Sequence, residues 1–215
     1  LAPAARMTEQ PNEKMLFRNG IKWRPVVAIV LSTCLLVTDR YFTIFNPKVI
    51  DRTILYLLIP LLTVIVLFRQ KPEEYGFSFG NFRLGLKVAL ITGILGVGQM
   101  YLISRIGAFR EYYAPYALFG LPIPLLTFLD LFGWEFLFRG FLLFALVEIC
   151  GPYAILLQAV PFTIAHIGKP AIETYSCIIG GTLFGLVAYR TKSFIYPFLI
   201  HWMIASSIIY FSLGK

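Results

Sequence analysis

The stretch LPIPLLTFLDLFGWEFLFRGFLLFALV, Leu121 to Val147, decides the reading of this chain. It is long and apolar enough to cross a bilayer, which takes about 20 residues of helix, yet it carries Glu135 and Arg139 near its middle. A charge at the bilayer centre costs roughly 3 kcal/mol or more, so such residues are usually paired, turned away from lipid, and functional. At i and i+4 the two side chains share one helix face. The pair marks a site inside a membrane-embedded bundle.

Composition places the rest of the chain around that segment. Of 215 residues, 58% are hydrophobic and only 14% charged, whereas about a quarter of a soluble domain is charged. At about 20 residues per crossing there is room for about six to eight spans. The expected fold is an all-α, polytopic transmembrane helical bundle of about seven spans. Leu1 to Arg6 precede Met7 and read as an appended remnant or an altered start, and polar residues continue to Arg24 without a cleavable signal peptide. Residues 1–24 form the polar N-terminal segment and 25–215 the transmembrane domain. Spans are expected at about Pro25 to Val37 (continuing toward Phe45), Thr53 to Phe68, Leu84 to Ile106, Leu121 to Val147, Pro152 to His166, Ser176 to Tyr189 and Phe194 to Phe211.

Pro72, Gly76 and Gly80 break the longest internal loop, and Gly181-x-x-x-Gly185 gives the sixth span a small-residue face for close helix packing. Cys34, Cys150 and Cys177 are scattered through apolar segments without metal or redox spacing. The net charge of +8 is distributed over short loops rather than one basic stripe, so it argues for topology and lipid head groups and against nucleic acid. With the N-terminus inside, the cytoplasmic side collects most Lys and Arg residues, including Lys14, Arg18, Arg69 and Lys192. The expected location is a prokaryotic cytoplasmic membrane with a cytoplasmic N-terminus.

Four ionisable residues lie in or beside the late apolar segments: Glu135, Arg139, His166 and His201. His166 and His201 are the chain's two histidines, and their convergence with a buried carboxylate suits two chemistries. In one, a carboxylate or histidine is the general base on a water and the other groups stabilise an oxyanion. In the other, Glu135, His166 and His201 bind a divalent metal such as zinc, although H-E-x-x-H is absent. No cofactor is required by the first.

Glu135-x-x-x-Arg139-Gly140, Phe162-x-x-x-His166 and His201, in that order, resemble the CPBP (CAAX protease and bacteriocin-processing, or Abi) family of intramembrane proteases, over roughly 121–211. The resemblance implies a glutamic-type membrane endopeptidase acting on a membrane-anchored protein or peptide. It implies Glu135 and His166 as water-activating residues, His201 as stabiliser of the tetrahedral intermediate, and Arg139 as the residue that orients Glu135 or binds a carboxylate. The family pattern has two adjacent glutamates and a late asparagine. Here Trp134 stands for the first glutamate and Ala205 for the asparagine.

A carboxylate held by Arg139 has its charged form favoured and is a weaker base. Asp130, one turn before Trp134, and Glu173, in the segment after His166, are the other candidate carboxylates, while Ser206 or Ser207 is the candidate oxyanion donor. The alternative function is a catalytically inactive membrane chaperone, immunity or partner-binding subunit of the same fold. A proton-relay transporter is a third reading.

Overall fold

The computed structural model describes residues 22–45, 48–118 and 121–214. The expected remnant at 1–6, most of the polar N-terminal segment, Lys14 and Arg18 lie outside the described residues. The fold is all-helical, with no strand among the described residues. We number the helices α1 Trp23–Tyr41, α2 Val49–Leu67, α3 Phe82–Ile103, α4 Gly107–Tyr113, α5 123–150, α6 154–164, α7 Ala171–Thr191 and α8 Ile195–Ser212. Helix α4 has only seven residues, too few to cross a membrane; the other seven are consistent with about seven spans.

Four of these seven, α2, α3, α7 and α8, are each long and apolar enough to cross a membrane, as is the continuous run Ile123–Ile164. That run has 42 residues, about two crossings' worth, and Gly151, at φ 53°, breaks it into α5 and α6. Helix α1 has 19 residues, with Arg24, Asp39 and Arg40 confined to its ends. This is an integral membrane protein.

Helix α5 starts where Pro122 and Pro124 supply backbone without the N–H groups that a helix start leaves unpaired. The helix stays regular through Gly133 to Glu135. Phe136–Leu142 instead winds as a wider π-helix, a form often found at functional sites. Phe136, Leu137, Phe138, Arg139, Gly140 and Phe141 are all buried there.

Aromatic rings hold the core around this segment. Phe141 stacks on Phe68 at 5.8 Å, while Phe77 meets Phe132, Phe136 and Phe194 at 5.3–6.2 Å. Gly181 and Gly185 face α6 as their spacing requires. A Cβ on Gly181 would lie 2.8 Å from the Phe162 ring, and one on Gly185 would lie 2.5 Å from the Gln158 amide nitrogen.

The helix ends sort into two groups. At one end Lys22 Nζ donates to the Glu148 carbonyl (2.9 Å), Asn81 N–H to the Thr191 carbonyl (2.8 Å) and Ser78 Oγ to the Lys192 carbonyl (3.2 Å). At the other end the α1–α2 turn, the α4 segment, the start of α5 and the α6–α7 turn come together. Their shared feature is a cavity of about 350 Å³.

Candidate active site

Glu135 ends the regular first part of α5 and is completely buried, as is Arg139 one turn later. Arg139 Nη1 donates to Glu135 Oε1 at 3.0 Å. His201, from α8, reaches the same oxygen through Nδ1 at 2.6 Å. A carboxylate oxygen accepts, so Nδ1 of His201 carries the proton and Nε2 is left with the lone pair when the ring is neutral. Glu135 Oε2 has no hydrogen-bond partner.

Arg139 is held by more than its carboxylate. Its guanidinium lies 3.8 Å from the centre of the Phe162 ring and 5.2 Å from that of Phe184, positions in which ring quadrupoles attract a cation. Its Nη2 also points at the Gly181 carbonyl, at 3.5 Å, an oxygen that Gln158 Nε2 binds at 2.8 Å. The absence of a side chain at Gly181 is what lets α7 approach this closely.

Helix α6 ends at Ile164, so His166 sits in the turn that follows rather than within the expected fifth span. Its Nδ1 donates to the Phe162 carbonyl at 2.8 Å, leaving Nε2 as the acceptor. The two histidine rings are 6.4 Å apart. Burial, with cationic Lys169 close by, pushes the His166 imidazole well below its ordinary value and keeps it neutral. Both histidines line the cavity, together with Trp134, Asp130, Thr127 and Lys169.

The other candidate residues have definite places. Asp130 lines the cavity, with both its oxygens 2.8 Å from Arg52 Nη1. Glu173 does not fold over the histidines: its carboxylate accepts from Lys169 Nζ at 2.6 Å and from the Tyr113 hydroxyl at 2.8–2.9 Å. Ser207 donates to the Met203 carbonyl one turn back, at 2.6 Å. Ser206 Oγ lies 2.6 Å from Thr127 Oγ1. Thr127 is placed to give its own proton to the Ile123 carbonyl, at 2.9 Å, which makes Ser206 the donor of the pair.

Among the described residues no three His, Cys, Asp or Glu side chains are grouped to hold a metal ion. Glu135 Oε1 is bonded to His201 Nδ1, and the His166 ring stands 6.4 Å from that of His201.

A family model described as type II CAAX prenyl endopeptidase Rce1-like matches residues 116–207. That segment contains Glu135, Arg139, His166, Glu173 and His201. Over that segment the chain is similar to the CAAX protease family. No curated protein and no solved structure matches it. The matched family is described as a prenyl endopeptidase, and the helices around this site are long and apolar enough to cross a membrane.

Where the CAAX protease pattern has its first glutamate, Trp134 lines the cavity, its ring 5.7 Å from that of His166 and 5.3 Å from that of Tyr56. Ala205 also lines it, at the position of the family's asparagine. Sequence reasoning missed Arg52 and Tyr113 as neighbours of the site. Arg52 reads as an ordinary basic residue at a span boundary, and Tyr113 as one of several interfacial tyrosines. The sequence carries no local signal that either reaches α5 or α7.

Proposed function

We propose that this chain is an intramembrane endopeptidase in which His201 is the general base and Glu135 positions it. The observation that carries this reading is the 2.6 Å bond from His201 Nδ1 to Glu135 Oε1. A buried carboxylate on Nδ1 holds the ring in one tautomer and stabilises the imidazolium that forms when Nε2 takes a proton. Glu135 is fully buried and does not line the cavity. It therefore acts through His201 rather than on the water itself.

In this scheme water in the cavity gives its proton to His201 Nε2 as its oxygen attacks the peptide carbonyl. His166, neutral and with its own Nε2 free, accepts a hydrogen bond from the second O–H of the water and fixes the direction of attack. Collapse of the tetrahedral intermediate breaks the C–N bond. The proton on His201 passes to the leaving nitrogen, and the carboxylic acid, which keeps the second water hydrogen, then ionises, so the products are an amine, a carboxylate and a released proton. The cavity volume of about 350 Å³ suits a short extended peptide segment. No step uses a metal.

The test is cleavage of a prenylated, fluorogenic CAAX peptide in proteoliposomes. His201→Ala and His166→Ala are expected to lower the rate by about 10²-fold or more. Glu135→Gln should lower kcat and move the acid limb of the pH profile, a change that a purely structural carboxylate would not produce. Unchanged cleavage in His201→Ala would sink the mechanism. Trp134 and Ala205 favour the inactive-subunit reading, which predicts no cleavage by the wild-type protein across a panel of membrane-anchored peptides.

A further inference from the structure

The two ends of the bundle differ in charge, and the cavity lies at only one of them. Lys22 and Arg24 at the start of α1, Arg69, Lys71, Arg83 and Lys87 around the α2–α3 loop, and Arg190 and Lys192 at the end of α7 share the end away from the cavity. The cavity end holds Arg40, Lys48, Arg52, Arg105, Arg110 and Lys169. Three of these six are committed to carboxylates: Lys48 and Arg52 to Asp39, and Lys169 to Glu173. In short loops the end richer in Lys and Arg stays in the cytoplasm.

We infer that the cavity opens on the non-cytoplasmic side of the membrane, so that its substrate is a membrane-anchored protein or peptide whose cleavable segment lies on that side. The substrate class rests on the endopeptidase reading above; the sidedness does not. The segments at the rim of the cavity share one end. Arg40 closes α1, Arg52 opens α2, Tyr113 lies in α4, Asp130 is in the first turns of α5, and Lys169 is in the α6–α7 turn. His201 stands two turns into α8 from the opposite end, so it lies below the cavity mouth. A substrate confined to the cytoplasm cannot reach it.

Orientation is read with single cysteines in the full chain, expressed in a bacterial host with Cys34, Cys150 and Cys177 replaced by alanine. Glu111→Cys, exposed in α4 at the cavity end, should react with a membrane-impermeant maleimide in intact spheroplasts. Glu73→Cys, exposed in the α2–α3 loop, should react only after permeabilisation. A phosphatase fused after Lys215 gives a second readout and should be active outside. Labelling of Glu73→Cys before permeabilisation, or protection of Glu111→Cys until it, overturns the inference. Labelling is independent of cleavage, so an inactive protein with the expected pattern would refute only the endopeptidase reading.

Discussion

At the scale of single residues, the site is built on one carboxylate oxygen that serves two partners. Arg139 neutralises Glu135 in a place with no water, and His201 uses the same oxygen for its orientation. Removing one member of a buried ion pair leaves an uncompensated charge and typically costs about 3–5 kcal/mol, whereas replacing both by apolar side chains is often neutral. Arg139→Ala is therefore expected to lower the thermal unfolding temperature in detergent markedly. Glu135→Leu combined with Arg139→Met should recover most of that loss and remain inactive. If the double variant unfolds as early as the single one, the pair is not an isolated charge balance. The i, i+4 pairing was legible in the sequence because a helix forces it. The bond to His201 was not, since it spans 66 positions and depends on how α5 and α8 cross.

At the scale of elements, the apolar runs and their breakers made the number and order of helices legible, and the small-residue face of α7 proved to be a packing face. Two features were not readable. The π-helical segment Phe136–Leu142 has no composition of its own and follows from how its aromatic rings fit the bundle. The end of α6 at Ile164 releases His166 into a turn, although the apolar pattern continues to it. Packing on α7 has a direct test. Gly181→Ala forces a methyl to within 2.8 Å of Phe162, the ring that lies over Arg139 and whose residue anchors His166 Nδ1. Overpacking of this kind costs about 1–3 kcal/mol, and cleavage should fall with it. Gly180→Ala, with nothing within 4 Å of its Cβ, should be neutral or slightly stabilising. Equal unfolding temperatures for the two variants would contradict the packing assigned to α7.

At the scale of the whole molecule, the cavity end is tied together by polar bonds, whereas the interior is held by rings. Arg52 of α2 reaches Asp39 of α1 at 3.4 Å and Asp130 of α5 at 2.8 Å, so one guanidinium joins three helices at the cavity mouth. The side chains of Arg52 and Asp130 are 29% and 27% exposed, so water screens the pair and its worth lies below that of a fully buried one. Arg52→Ala should cost about 1–3 kcal/mol of stability, measured by thermal unfolding in detergent, and Arg52→Lys should restore only part because a lysine cannot span both carboxylates. The decisive measurement is a double-mutant cycle. Independent sites add within about 0.3–0.5 kcal/mol, so Arg52→Ala combined with Asp130→Ala should cost clearly less than the sum of the two single changes. Simple additivity would mean that the three helices are held by the membrane and the aromatic core alone. In that case Asp130 would be free to act as a carboxylate in the cavity, beside the two histidines.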